Sequence, residues 1–248
     1  MEKTMSKINI LIPAAGAGSR FAKEGYTKPK PFIDVLGKPM IVRVLENLKV
    51  DDAHYIIILQ KSHFEQEKEL CNLIAKDYNV SFVCVETLTE GTACSVLHAR
   101  ELIDNDAPLM IANSDQIVDI DIQKYIDDAL DRGLDGSILC FKDLEKSPKW
   151  SFVKMDKDLI IEVREKELIS DIATVGIYLF SKGRLFVDSA IDMIVRNDRV
   201  NNEFYTAPSY NYAIKNGAKI GCFLMKFDDM HGIGTPDDLK KYIEIIKE

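Results

Sequence analysis

The first 113 residues repeat one pattern, an apolar run of six or seven residues followed by a stretch with helical spacing. The apolar runs are INILIPA (8–14), HYIIILQ (54–60), VSFVCV (80–85) and PLMIAN (108–113). Between them, MIVRVLENL (40–48), residues 62–78 (with Ser62 as a cap) and residues 91–103 read as helices. Successive strand residues point to opposite faces, so strands that stay apolar throughout are buried on both. That burial is characteristic of a parallel sheet covered by helices on its two sides. After about residue 134 the pattern changes. GSILCF (136–141), WSFVKMD (150–156), LIIEVRE (159–165) and IATVGIYLF (172–180) follow with little helix between them, and KMDKDLII reads as a hairpin turn. Helices are predicted again at 182–195 and 204–215, then a strand at 218–227 and a last helix begun by Pro236 and two aspartates. With no repeat or linker, residues 1–248 are predicted to form one α/β domain with a mixed central sheet flanked by helices. Residues 1–134 would bind one ligand and residues 135–248 a second.

Composition narrows the function. A net charge of −8 on 248 residues argues against nucleic acid or an anionic membrane as a general partner. The five cysteines are widely spaced and form no CxxC pair, which predicts buried thiols in a reducing, cytoplasmic setting rather than a zinc site or a disulfide framework. The apolar stretch near the start is too short for a leader, and no run approaches the ~18 apolar residues of a membrane span.

Any anion site must therefore be local, and PAAGAGSRFAKEGYTKPKPF (13–32) supplies one. It places Gly16, Gly18, Arg20, Lys28 and Lys30 directly after the first strand. A dinucleotide fingerprint is disfavoured, because Phe21 stands where its third glycine belongs and the second strand ends in Gln60, with no carboxylate for a ribose. The Walker string is absent. The four histidines are scattered and form no nucleophile constellation.

LIPAAGAGSRF followed by KPKPFIDVLGKPM resembles the nucleotidyltransferase family, whose G-x-G-[ST]-R loop precedes a lysine and then G-K-P-[ML]. TEGTACSVLHA (89–99), NSDQ (113–116), REKE (164–167), ATVGIYLF (173–180) and GIGTPDDL (232–239) are similar to later motifs of that family. The resemblance implies a Rossmann-like GT-A fold. It also implies transfer of a nucleoside monophosphate from an NTP to a phosphorylated small molecule, with release of pyrophosphate. A narrower likeness is to capsule-locus cytidylyltransferases, which would imply CTP, a phosphoglutamine-type acceptor and a role in surface-polysaccharide synthesis.

Carried onto this chain, the resemblance implies catalytic roles for Arg20, forked on the leaving phosphates, and Lys30, neutralising charge at the α-phosphate. Ala14, Ala15, Gly16, Gly18 and Ser19 would cradle the triphosphate, and Gly91 and Thr92 would face the base. Glu86 would accept from a cytosine amine and disfavour uracil. Asp115 would hold Mg²⁺, and Gly232 stands where relatives carry a second aspartate, so Asp229 is expected to supply that carboxylate. Glu165, Lys166 and Gly176 would meet the acceptor. Trp150-Ser151 in place of the Tyr-Gly pair, and Glu167 in place of proline, count against a sugar. A homo-oligomer is compatible with the resemblance. Three alternatives remain open. They are a sugar-1-phosphate uridylyl- or thymidylyltransferase, a GT-A glycosyltransferase and an inactive nucleotide-binding regulatory subunit.

Overall fold

The computed structural model describes residues 8–247. Among these, nine strands form one sheet: β1 (Asn9–Pro13), β2 (His54–Gln60), β3 (Val80–Val85), β4 (Leu109–Ala112), β5 (Gly136–Lys142), β6 (Ser151–Asp156), β7 (Leu159–Glu165), β8 (Ile172–Phe180) and β9 (Ile220–Met225). Seven of them run in the order β7-β6-β8-β4-β1-β2-β3, and β5 pairs with β8 on one side and β9 on the other. β1 pairs parallel with β2 and β4, and β2 parallel with β3. β8 runs antiparallel to β4, β5 and β6, so the sheet is mixed.

Both faces are buried along β1, β2 and β4, as their apolar runs require, whereas β3, at the sheet edge, is mostly half-buried and exposes Cys84. Ile10 and Ile12 join one core with Met40, Val44 and Leu45 of the helix Met40–Asn47. Leu11 between them joins the other core, with Ala93, Val96 and Ile103. After β1 the chain moves outward to β2 and β3, then returns to place β4 on the other side of β1. This reversal opens a crevice at the carboxyl ends of β1 and β4, the place where open α/β sheets bind ligands.

Several elements differ from expectation. The helix read over 62–78 is two pieces, Lys61–Gln66 and Lys68–Asp77, and Gln60, not Ser62, occupies the cap position. Residues 91–103 also split, into Thr92–Leu97 and Arg100–Ile103. The helix expected from 204 begins only at Ser209, because residues 204–206 are hydrogen-bonded to the loop before Thr92 and Pro208 precedes the helix. An unforeseen helix, Ile122–Asp131, is capped by Asp121, whose side chain accepts from the Gln123 and Lys124 amides. Cys71 and Cys140 are buried, but Cys84 is exposed.

Candidate active site

The loop after β1 is held from both sides. The Ala14 amide donates to Ile58 at 2.8 Å, and Gln60 Nε2 donates to the Ala15 carbonyl at 2.9 Å. Gln60, which argued against a ribose contact, thus braces the glycine loop. Gly18 has φ 60°, in the left-handed region that favours glycine, and a Cβ there would stand 3.2 Å from the Lys30 side chain.

A cavity of about 520 Å³ opens over this loop. Ala14, Ala15, Gly16, Gly18, Ser19, Arg20, Lys30, Gly91, Thr92 and Asp115 all line it, so the structure brings these predicted residues together. Lys30 Nζ lies 2.5 Å from Asp115 Oδ2, 85 residues apart in sequence. Lys28 instead faces Glu67 at 3.8 Å on the surface.

Asp115 is fixed through its backbone. Ile233 N–H donates to its carbonyl at 2.8 Å, and Gly232 pairs with Gln116 in a short antiparallel ladder between Met230–Gly232 and Gln116–Val118. Asn47 bonds both the amide and the carbonyl of Val118, tying that ladder to the helix Met40–Asn47. Gly234 lines the cavity against Asp115, and a Cβ there would fall 2.5 Å from Asp115 Oδ2.

Two expected site residues, Glu86 and Asp229, lie outside this lining. Glu86 is 75% exposed at its side chain and pairs with Lys61 at 2.8 Å, outside the cavity lining. It follows β3 at the sheet edge, and Leu88, Thr89 and Gly91 turn inward instead. Asp229 is also absent from the lining. The strand expected to carry it ends at Met225, and a 3-10 turn covers Phe227–Asp229, whose Asp229 carbonyl accepts from the Asp119 amide. The acidic residues on the lining are Asp115 and Glu203. Among the described residues no group of three or more His, Cys, Asp or Glu is placed to hold a metal. One carboxylate beside a phosphate-sized space fits Mg²⁺, which typically takes one or two carboxylates and completes its shell with substrate phosphates and water.

A second cleft of about 280 Å³ adjoins the first, and the two share Pro13, Thr92 and Asn113. Glu165 and Gly176 line it with Trp150, Tyr178 and Tyr205. Ser151 Oγ donates to Glu165 Oε2, and burial pushes the Glu165 carboxyl above its ordinary value despite that bond and the nearby Lys166. Gly176 has φ 96° inside β8, where the β5 pairing shifts register, and any Cβ there would collide with the Asn113 side chain. The close approach that Gly176 permits is therefore that of Asn113. Lys166 stands beside the cleft with its Nζ 2.7 Å from the Tyr205 hydroxyl.

The two halves of the chain do not divide the site cleanly. Glu203 and Gly234 from the second half line the larger cavity, and Pro13, Thr92, Ile111, Asn113 and Gln116 from the first line the smaller cleft. Sequence reading missed Asn113, although it stands two positions before Asp115 at the end of β4. It also missed Tyr205 and Thr206, for which no local signal exists: Thr206 Oγ1 bonds Thr92 across 114 residues.

The nucleotidyl transferase family model matches residues 9–248, nearly the whole chain. The chain belongs to the nucleotidyl transferase family. This family member is 26% identical over 176 residues to the mannose-1-phosphate guanylyltransferase catalytic subunit beta of Drosophila melanogaster, covering 69% of this chain and 47% of that protein. It is 24% identical over 251 residues to the bifunctional protein GlmU of Campylobacter fetus, covering 98% of this chain and 54% of that one. The chain thus spans about half the length of the curated relatives it matches. Its fold is that of the nucleoside-diphosphate-sugar pyrophosphorylase from Vibrio cholerae RC9, with TM-score 0.79, 23% identity and coverage of 95% of this chain and 99% of that one. It is also that of the inositol-1-phosphate CTP transferase from T. maritima, with TM-score 0.72, 13% identity and coverage of 98% and 96%.

Proposed function

We propose that the protein transfers a nucleoside monophosphate from an NTP to a phosphorylated small molecule. The observation that carries this reading is the pair of adjoining cavities joined at Pro13, Thr92 and Asn113, with Lys30 and Asp115 on one and Glu165 on the other. A phosphate oxygen of the acceptor attacks the α-phosphorus of the NTP. One P–O bond forms, the bond to the β-phosphate oxygen breaks, and pyrophosphate leaves. The nucleophile is already an anion, so no activating base is required, and positioning with charge stabilisation is sufficient.

Arg20 binds the leaving phosphates through its fork, and Lys30 neutralises charge at the α-phosphate. Asp115 would hold Mg²⁺, which, when bound, supplies further neutralisation of the phosphate oxygens. Glu165 takes a hydrogen bond from the organic part of the acceptor. The cytoplasm, with a reduced cysteine set, is the proposed compartment. No helix among the described residues is long and apolar enough to cross a membrane.

The relatives are named for several bases and acceptors. They include mannose 1-phosphate guanylyl transfer, a glucose-1-phosphate thymidylyltransferase and an inositol-1-phosphate CTP transferase. CTP remains the nucleotide this reading favours, with a phosphoglutamine-type acceptor of a capsule or surface polysaccharide. Its residue argument is reduced, because Glu86 faces Lys61. Pyrophosphate release is the test, with CTP, UTP, dTTP, ATP and GTP each offered against phosphoglutamine and a panel of sugar 1-phosphates. A preference for UTP or dTTP would replace the cytidine reading with a sugar-phosphate one. No release with any pair would overturn nucleotidyl transfer.

A further inference from the structure

The seam between the two cavities is covered by a segment from far along the chain, Glu203–Ala207. Its backbone is fixed at three points. Phe204 N–H donates to Glu90 at 2.8 Å, Ala93 N–H donates to Phe204 at 3.0 Å, and Thr206 N–H donates to Thr92 Oγ1 at 3.1 Å. Phe204 and Thr206 are buried. Tyr205, between them, is less buried and lines the smaller cleft together with Thr206 and Ala207.

Lys166 meets it there from the end of β7. Its φ of 56° is uncommon for a residue with a side chain, and its amide donates to Trp150 at 2.9 Å. From that conformation its ammonium reaches both the Tyr205 hydroxyl, at 2.7 Å, and the ring, 4.5 Å from the centroid. The ammonium donates, so the phenol oxygen accepts, and the phenol's own hydrogen is directed to another acceptor. A hydroxyl whose oxygen is bonded by a cation is a strengthened donor. Lys149, the cation on the cleft lining, is held 4.4 Å over the Trp150 ring.

We propose that Tyr205 is a phosphate-binding residue: its hydroxyl and the Lys166 ammonium together seat the acceptor's phosphate at the seam, and that phosphate accepts the Tyr205 hydrogen. The assignment rests on the nucleotidyl-transfer reading for its consequence, since a phosphate held there stands beside the residues shared with the nucleotide cavity. It explains why Tyr205 stands on a stretch fastened to the loop before Thr92. The acceptor's anion is positioned by the same backbone that shapes the nucleotide side.

Inorganic phosphate is the probe, so the outcome does not depend on the organic part of the acceptor. It is titrated calorimetrically into the full chain saturated with whichever methylene-bridged analogue of CTP, UTP, dTTP, ATP or GTP binds most tightly, which occupies the triphosphate region. Tyr205→Phe keeps the ring and is expected to weaken phosphate binding about tenfold, with analogue affinity changed less than about twofold. Lys166→Ala is expected to weaken it as much, with the double variant less than additive. Wild-type phosphate affinity in Tyr205→Phe overturns the assignment. So does absence of phosphate binding by the wild-type chain. Failure of every analogue to bind counts against nucleotidyl transfer instead. The same titration run without an analogue, in an Arg20→Ala background, then decides the phosphate seat.

Discussion

Lys30 and Asp115 hold each other across the larger cavity, Nζ to Oδ2 at 2.5 Å, the lysine from the 3-10 turn Lys30–Phe32 and the aspartate from the turn after β4. Both side chains are partly exposed, 20% and 31%, so the pair contributes little to folding. In the proposed reaction its importance lies in what each partner would do when phosphates arrive. Lys30→Ala is therefore expected to lower turnover roughly 100-fold or more, the loss typical of removing one charge-stabilising donor from a reacting centre. Its melting temperature should stay within a few degrees of wild type. Steady-state kinetics beside a thermal melt make the comparison, and near-normal turnover would remove Lys30 from the mechanism.

Gly234→Ala tests the wall behind Asp115. Its Cβ would stand 2.5 Å from Oδ2, and the carboxylate must turn away to admit it. A loss of about tenfold or more in kcat is expected from the misplaced group, with the fold intact. Titration of activity with Mg²⁺ should show a weaker cation dependence as well. Unchanged activation by Mg²⁺ would mean that the orientation of Asp115 does not matter.

Gly91→Ala should act on stability first. Gly91 has φ 123°, and a Cβ there would collide with the Phe204 backbone that covers the seam. Strain and collision together are expected to cost about 3 kcal/mol or more in urea unfolding. A variant as stable as wild type would show that segment Glu203–Ala207 lifts off freely.

Glu165→Gln carries a pH signature. Burial raises the folded-state pKa of Glu165 above the ordinary 4.5, so between the two values the native state holds the proton more firmly than the unfolded chain. The stability linked to this group is present below about pH 4.5 and is lost as pH rises through the folded value. Above that value the cost of burying a charged carboxylate weighs against the fold, and glutamine avoids it. The variant should melt a few degrees higher at pH 7, with the difference shrinking toward pH 4.5. A constant difference across that range would show that ionisation of Glu165 is not the cause.

Glu86→Gln should leave the ranking of nucleotides unchanged, because Glu86 faces Lys61 and not the cavity. Competition among the five NTPs in one reaction reads this directly. A changed ranking would return Glu86 to the base.

The parallel half of the sheet was legible from its apolar runs, since burial on both faces of β1, β2 and β4 leaves few polar positions there, although β3 at the edge is only half-buried. The glycine loop was legible too, and it carries Gly16, Gly18, Arg20 and Lys30 onto the lining of one cavity, because residues so near one another after a strand end stay together in the fold. Asp115 followed from its place just after β4. What could not be read was everything that depends on distant segments meeting. Asp229 was expected to face the metal, yet the strand ends at Met225 and a turn carries it elsewhere. Glu86 had the right chemistry for a cytosine amine, but its direction was set by Lys61. Asn113 reaches the seam because Gly176, across the sheet, leaves room for it. Tyr205 reaches it because Phe204 is fastened to Glu90 and Ala93. Local pattern specifies which element a residue joins, through its period and its caps. Which way a side chain at the end of that element faces depends on the neighbour that happens to bond it, and that neighbour is chosen by packing across the whole chain.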